Sequence, residues 1–200
     1  MLYIVRHGQT DWNGLDKIQG VADVPLNDIG RAQANIAADR LARFNFEYIV
    51  SSNLSRATET ANIIGNKLNL RVEYDARLRE YDFGKLTGMI RRMLDPHEIE
   101  AFFTTPTYFG AESFEDAFAR SAEFLKSVDY DKNILVVTHG GVINFMLCYL
   151  ESGDNFKSYM FLDKCLNTHI DNSAVLRIRD LKSDMTILKN TRFYKLPKSR

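Results

Sequence analysis

The sequence has little of what marks several specialised protein classes. It contains two cysteines, Cys148 and Cys165, in 200 residues. Two cysteines are too few for a disulfide framework, and we expect both to be buried free thiols that do not bind zinc. Lysine plus arginine equals aspartate plus glutamate at 26 each, so no overall field favours a nucleic acid or an anionic membrane as a partner. Any positively charged site must therefore be local.

A long apolar segment and a signal-like leader are also missing. Met1 stands directly before a strand-like run at residues 2–5, with no basic segment or small-residue cleavage site. We therefore expect neither secretion nor a membrane span, with the cytoplasm as the default location. No repeat or low-complexity segment interrupts the chain, and its length suits a single domain over residues 1–200.

Strand-like runs alternate with helical periodicities, which favours an α/β fold: a three-layer sandwich around a mostly parallel central sheet. In the first helix, capped by Asn27, Ile29 and Ile36 are expected among the apolar positions that pack on the sheet. Residues 75–112 break the alternation and are interpreted as a lid-like excursion that covers the site. The predicted strands cover residues 2–5, 48–50, 70–74, 134–137, 174–179 and 186–188, the last two forming an antiparallel edge hairpin. The predicted helices cover about 29–44, 54–68 with capping from 51–53, 97–103, 114–128 with Ser113 as cap, and 141–150.

Two of the four histidines stand at equivalent places. His7 and His139 each follow an apolar strand-like run and precede a glycine. The carboxyl ends of parallel strands open into the crevice where ligands bind, so we expect both side chains to meet in one pocket. His97 and His169 lack this placement and are interpreted as solvated or packed residues.

Arginine placement indicates what this pocket binds. Arg6 follows the first strand, and Arg56 lies in the first turn of a helix, where the helix dipole disfavours a cation. Two guanidinium groups, a strand-end histidine and a helix N-terminus supply the donors that a phosphoryl group accepts. We therefore expect Arg6, Arg56 and His139 to form a phosphate cradle. His7 is then the candidate nucleophile, kept unprotonated by the surrounding cations.

A leaving alkoxide also needs a proton. The segment after the third strand offers Glu80 and Asp82, and we favour Glu80 as the general acid. The glycine after each histidine is compatible with a simple turn, and it also lets the backbone approach a phosphate.

Residues 6–13, which read RHGQTDWN, resemble the signature of the histidine phosphatase superfamily, in its phosphoglycerate mutase-like branch. Further blocks resemble the family in the same order along the chain. They lie within residues 19–33, 51–61, 78–84, 110–120 and 138–141, with a weaker similarity at 172–175. Ordered blocks over most of the chain are far more specific than one tripeptide.

The resemblance implies a role for each matching residue. His7 would carry the phosphoryl group, Arg6, Arg56 and His139 would bind it, and Glu80 would donate the proton. No metal and no cofactor are implied, and the expected partner is a small-molecule phosphate ester. The sequence leaves the oligomeric state open. The remaining substrate-binding candidates are Gly8, Asn13, Gln19, Gly20 and Gly140.

The superfamily contains phosphatases and mutases, and three features favour a phosphatase. Phe83 and Gly141 stand where the mutases resemble one another in having tyrosine and asparagine, and the segment after the acid loop is short. Arg91 and Arg92 come soon after that loop and are interpreted as a possible substrate contact. The alternatives are a bisphosphoglycerate-primed phosphoglycerate mutase and, more distantly, a non-catalytic phosphate or phosphoprotein binding module.

Overall fold

The computed structural model describes residues 1–168 and 170–178 of the chain. The strands are β1 (Leu2–Arg6), β2 (Tyr48–Ser51), β3 (Val72–Tyr74), β4 (Ile134–Thr138) and β5 (Val175–Ile178). The α-helices are α1 (Asp11–Gly14), α2 (Asp28–Leu41), α3 (Ser55–Leu68), α4 (Pro96–Thr104), α5 (Phe114–Ser127), α6 (Gly140–Ser152) and α7 (Ser158–Asn167). Single 3-10 turns lie at Ala76–Leu78, Gly84–Leu86, Arg91–Met93 and Pro106–Phe109.

The strands form one sheet in the order β3-β2-β4-β1-β5. β1, β2, β3 and β4 pair in parallel, while β5 runs antiparallel to β1 at one edge. The prediction of a mostly parallel α/β sandwich is confirmed. The second strand of the expected edge hairpin, 186–188, lies outside the described residues.

Alternating side chains of the central strands build two apolar layers. Ile4 and Val136 pack with helices α5 and α6, whereas Val5 and Val137 pack with α2 and α3 on the other side. Both faces of β1 and β4 are buried, which explains why their sequences are continuous apolar runs. The helices therefore flank the sheet on both faces.

Helix α2 buries a different set of residues from the predicted one. Asn27 caps it as expected, with its side chain accepting a hydrogen bond from the Gly30 amide at 2.9 Å. Ile29 and Ile36, however, are 49% and 44% exposed, so the prediction was wrong for both. The contact face consists of small residues and one leucine, which lets α2 lie close to its neighbours: Ala34, Ala37, Ala38 and Leu41.

A third apolar cluster, rich in aromatic rings, underlies residues 75–112. The predicted helix near residues 97–103 is present as α4, and its Phe102 is buried in this cluster. Helix α7 was not predicted, because its sequence is short and of mixed polarity. Its Phe161 stacks on Phe145 of α6 with the ring centroids 3.9 Å apart. None of the helices within residues 1–168 and 170–178 is long and apolar enough to cross a membrane.

Candidate active site

The two strand-end histidines lie side by side, as the sequence predicts. β1 and β4 are in register, so Arg6 pairs with Thr138. The His7 amide then donates to the Thr138 carbonyl at 2.9 Å. The imidazole rings of His7 and His139 have their centroids 5.1 Å apart. Parallel pairing thus brings together residues that are far apart in the sequence.

His7 is fixed in one ring orientation. Its Nδ1 lies 2.7 Å from the Gly8 carbonyl oxygen. A carbonyl oxygen only accepts hydrogen bonds, so Nδ1 carries the proton and Nε2 keeps its lone pair. Burial, followed by the positive charges of Arg56 and Arg6, lowers the pKa of His7 well below its usual value. The ring is therefore a neutral imidazole with a free nucleophilic nitrogen.

Arg56 is fully buried at the start of helix α3. Nη1 donates to the Ala22 carbonyl at 2.8 Å, and Nη2 donates to the Gly20 carbonyl at 2.7 Å. These two carbonyls orient the guanidinium, which the helix dipole alone would disfavour. Burial is also the main reason that the pKa of Arg56 is lowered to about 10, which leaves it charged at neutral pH.

The N-terminus of helix α3 is capped differently from the prediction, which assigned the capping to residues 51–53. Leu54 occupies the N-cap position without a side-chain cap. Asp23 accepts a hydrogen bond from the Ser55 amide at 2.7 Å. Within 51–53, the Ser52 hydroxyl accepts a hydrogen bond from the Leu54 amide at 3.3 Å. The predicted segment therefore supplies one of the two side-chain acceptors, and Asp23, which is distant in sequence, supplies the other.

Arg6 and His139 complete the predicted cradle. Arg6 donates to the Ile170 carbonyl, and burial lowers its pKa. His139 is fully buried, with Nε2 2.8 Å from the hydroxyl oxygen of Ser52. Burial is again the largest cause, ahead of Arg56, of its pKa lying well below the usual value. Both residues are thus oriented by polar contacts at one end of the cleft.

Each member of this cradle keeps one buried polar atom without a hydrogen-bond partner among the described residues. These atoms are Nε of Arg6, Nε of Arg56 and Nδ1 of His139. Buried polar atoms are nearly always satisfied, so unpartnered ones call for a specific explanation. Helix α6 also begins at this point, directly after His139, and the positive end of its dipole attracts anions. The arrangement suits an oxyanion with several acceptor oxygens, such as a phosphoryl group.

Glu80 and Asp82 have different surroundings. Glu80 lines the cleft. Its Oε1 accepts a hydrogen bond from the Tyr81 amide at 2.9 Å, and its Oε2 accepts one from the Gly141 amide at 3.3 Å. Asp82 instead accepts from the Gly84 amide at 2.9 Å and stabilises the turn. A Cβ atom at Gly141 would lie 2.5 Å from Glu80 Oε1. The absence of a side chain at 141 therefore permits the observed position of Glu80.

The cleft has a volume of about 450 Å³. Several predicted site residues line it: Arg6, His7, Asn13, Gln19, Gly20, Arg56, Glu80 and Gly140. Gly8 lies behind the cleft, where its amide donates to the Thr60 hydroxyl at 3.0 Å. A side chain at Gly8 would collide with the backbone of Gly30, so close packing accounts for this glycine. His139 also lies just behind the lining.

Several lining residues were not predicted as site residues. Asn172 donates to the His7 carbonyl at 3.0 Å and to Asn13 Oδ1 at 3.3 Å, and the weak similarity at 172–175 was the available signal. Phe161 and Cys165 come from the unpredicted helix α7. The remaining unpredicted lining residues are Asp16, Lys17, Phe83, Gly141, Asn144, Thr168, Ile170 and Asp171. Of the two arginines interpreted as a substrate contact, Arg91 is on this lining.

The cysteine prediction is correct for one residue only. Cys148 is a buried free thiol in α6. Cys165 is free but exposed, and it borders the cleft. Burial of Cys165 was therefore the wrong expectation, and the reason is that helix α7 turns this side of its surface toward the cavity. Over residues 1–168 and 170–178 no group of three or more His, Cys, Asp or Glu side chains is arranged to hold a metal ion. Metal independence itself stays a prediction.

Comparisons with known proteins agree on one family. The model for the histidine phosphatase superfamily (branch 1) matches residues 2–178. Phosphoglycerate mutase-like protein 4 of Arabidopsis thaliana is 37% identical over 183 residues, covering 85% of this chain and 77% of that protein. The uncharacterized phosphatase PhoE of Bacillus subtilis is 32% identical over 181 residues, covering 88% and 91%. A mycobacterial glucosyl-3-phosphoglycerate phosphatase in complex with VO3 is a structural relative. Its TM-score is 0.73 at 32% identity, and the match covers 88% of this chain and 90% of that one.

Proposed function

This chain belongs to the histidine phosphatase superfamily, branch 1, and we propose that it hydrolyses phosphomonoesters of small metabolites through a phosphohistidine at His7. The observation that carries the proposal is the set of unpartnered buried atoms on Arg6, Arg56 and His139. These residues lie near a neutral histidine whose Nδ1 is held by the Gly8 carbonyl: the His139 ring centroid is 5.1 Å from that of His7, and the charges of Arg56 and Arg6 help to lower the pKa of His7. A phosphoryl group would satisfy the cradle and bring phosphorus to His7 Nε2.

The first chemical step is phosphoryl transfer to the enzyme. His7 Nε2 attacks phosphorus, the ester P–O bond breaks, and the leaving alkoxide takes a proton from Glu80. Arg6 and Arg56 stabilise the negative charge on the non-bridging oxygens during the transfer. The Gly8 carbonyl, 2.7 Å from Nδ1, stabilises the positive charge that the imidazole gains as it forms the N–P bond.

The second step returns the enzyme to its starting state. Glu80, now deprotonated, accepts a proton from water as the water oxygen attacks phosphorus. The N–P bond breaks, inorganic phosphate leaves and His7 is again neutral. The Gly141 amide, which donates to Glu80 Oε2 at 3.3 Å, holds the carboxyl group in place for this step.

Hydrolysis is favoured over phosphoglycerate isomerisation. The relatives include proteins named as phosphatases and proteins named as mutase-like. Phe83 and Gly141 line the cleft, and the position of Glu80 requires that residue 141 have no side chain. A chain with asparagine there would need a different carboxylate position. A binding module without activity is less well supported, because the candidate nucleophile, cradle and acid are all present.

The substrate class is a small phosphate ester. A cleft of about 450 Å³ has room for a metabolite-sized organic group beside the phosphoryl site. Phe83 and Phe161 offer apolar contact, while Lys17 and Arg91 contribute positive charge. These residues support a substrate that carries both apolar and polar parts. The single-domain organisation, the lid-like behaviour of residues 75–112 and a cytoplasmic location stay predictions.

The test is a phosphate-release screen over a panel of phosphorylated metabolites without added metal. Phosphoglycerate isomerisation is assayed in parallel, with bisphosphoglycerate present. We expect release from the best ester to exceed isomerisation, and we expect His7→Asn to abolish release. Isomerisation faster than hydrolysis of every ester would make the chain a mutase, and an unaffected His7→Asn variant would contradict the proposed nucleophile.

A further inference from the structure

Glu80 lies on a segment without regular secondary structure, so contacts from outside the segment must fix the position of its backbone. It follows the 3-10 turn Ala76–Leu78, and neither a helix nor a strand continues through it. A displacement of about 1 Å at a catalytic group can cost on the order of a hundredfold in rate. The contacts that fix this segment therefore bear directly on proton transfer.

The guanidinium group of Arg120, in the middle of helix α5, donates hydrogen bonds to several backbone carbonyls of this segment. Arg120 Nη1 donates to the carbonyl oxygens of Arg77 at 2.7 Å and Arg79 at 2.6 Å. Its Nη2 donates to the carbonyl oxygen of Glu80 at 3.3 Å. Such carbonyls would otherwise lack partners in a partly buried loop. The carbonyl oxygen of Leu78, between them, accepts from the Thr138 hydroxyl at 2.8 Å, so the loop is also bound to β4, which ends directly before His139.

Glu112 holds the guanidinium itself in place. Its carboxylate accepts from Arg120 Nε at 2.7 Å and from Nη2 at 2.9 Å. The two side chains are only 15% and 13% exposed, so water competes weakly for this bidentate pair. The Glu112 carbonyl also accepts from the Tyr81 hydroxyl at 2.6 Å. Residues on both sides of Glu80 are thus bound to the same ion pair.

We propose that Arg120, oriented by Glu112, is the positioning residue for the general acid Glu80. Arg120 fixes the backbone of residues 77–80, while the Gly141 and Tyr81 amides fix the carboxylate. The inference rests on the proposed function, because it assigns Arg120 to the step in which Glu80 transfers a proton. Arg120 makes no hydrogen bond with the phosphoryl cradle among the described residues, although its charge contributes to the lowered pKa of His139. A substitution that keeps this charge should therefore leave the cradle chemistry intact.

Arg120→Lys is the principal test. Lysine keeps the positive charge, but a single ammonium group lacks the planar fork that reaches Glu112 and the loop carbonyls together. We expect kcat/KM for an alkyl phosphate to fall by roughly 10- to 100-fold, since general acid catalysis is impaired. Phosphorylation of His7 by an activated aryl phosphate, followed as a burst of phenol, should stay within about threefold of wild type because that leaving group needs no proton.

Two further variants separate positioning from general destabilisation. Glu112→Gln keeps the shape of the partner and should show a smaller loss with the same preference for alkyl substrates. Phe118 lies on the face of α5 opposite Arg120 and stacks on Phe156. The control variant Phe118→Leu should lower the unfolding temperature and change the rates on alkyl and aryl phosphates by the same factor. If Arg120→Lys does not fold, Glu112→Gln decides the question.

The possible failures are distinguishable. Absence of phosphohistidine in the wild-type protein would refute the proposed function. Phosphohistidine in the wild type, with equal alkyl and aryl losses in folded Arg120→Lys and Glu112→Gln, would overturn the positioning role alone. Wild-type alkyl rates in both variants would overturn it as well.

Discussion

Replacing Gly141 with alanine should weaken catalysis without weakening the fold. A Cβ atom at this position would lie 2.5 Å from Glu80 Oε1 and 3.4 Å from Glu80 Cδ. The first distance is roughly 1 Å inside an ordinary van der Waals separation. The new Cβ atom would also lie 3.5 Å from Tyr81 Cβ, so it cannot shift toward Tyr81 to avoid Glu80. The Glu80 carboxylate must therefore move by about 1 Å, away from the position that its amide donors define.

The size of the effect follows from that displacement. General acid catalysis contributes about 10²- to 10⁴-fold, and a 1 Å misplacement costs on the order of 10²-fold. We expect kcat/KM of Gly141→Ala for an alkyl phosphate to fall by roughly 10- to 100-fold, a smaller loss than in Glu80→Gln. Aryl phosphate kinetics should stay within about threefold, because a phenolate leaves without a proton.

Stability provides the control for this prediction. Gly141 lies in the first turn of α6 and does not have a positive φ, so alanine is compatible with its backbone. Alanine in a helix is favoured over glycine by about 0.5–1 kcal/mol, and Tm should hold or rise. Gly140→Ala is the neighbouring comparison, because the three atoms nearest to its Cβ would all belong to Arg6, with Nε at 3.6 Å, so that any loss should affect alkyl and aryl substrates equally.

The assay is kcat/KM on one alkyl and one aryl phosphate, with thermal unfolding of each variant. Equal losses on both substrates would mean that alanine obstructs binding and not the acid. An alkyl-selective loss in Gly140→Ala as large as that in Gly141→Ala would refute the reasoning from Glu80.

Three further predictions address the acid, the metal requirement and the histidines. Glu80→Gln should lose roughly 10²- to 10⁴-fold on alkyl phosphates, whereas Asp82→Asn, which keeps the acceptor for Gly84, should lose little; the reverse order in rate measurements would make Asp82 the acid. A chelator should leave phosphate release unchanged, and restoration of a chelated enzyme by magnesium or zinc would contradict the cradle as the main source of charge stabilisation. Burial first, then nearby arginine charge, lowers the pKa of His7 and His139, so ring ¹⁵N shifts should remain those of neutral imidazole below pH 6.5, the ordinary midpoint being about 6.5. The unfolded chain binds more protons there, so stability should fall as the pH drops through that region; a midpoint at or above 6.5 for either ring would contradict the assignment.

The strand ends were predictable because each signal was local. An apolar run followed by histidine and glycine specifies a buried parallel strand and the residue at its carboxyl end, for His7 and His139 alike. Arg56 was identifiable because a cation in the first turn of a helix needs a compensating partner. The structure supplies such partners as the Gly20 and Ala22 carbonyls.

Features that depend on contacts between distant parts of the chain could not be predicted from local sequence patterns. Asp23 caps helix α3 from a separate loop, which the capping residues next to the helix do not reveal. Helix α7 is a short segment of mixed polarity, so it was not predicted, and Phe161 and Cys165 were not assigned to the cleft. The apolar period also predicted burial of Ile29. Helix α2 instead packs closely against its neighbours through its alanines, and this larger residue is left exposed.

The central claim is that the phosphoryl group passes through His7. Its most direct test is to mix the wild-type protein and Glu80→Gln with a radiolabelled aryl phosphate, quench within the burst, and map the label by mass spectrometry. The account predicts a base-stable, acid-labile phosphate on His7 Nε2, formed as fast as the phenol burst and longer-lived in Glu80→Gln. A label on another residue, or turnover with no labelled enzyme in either protein, would contradict it.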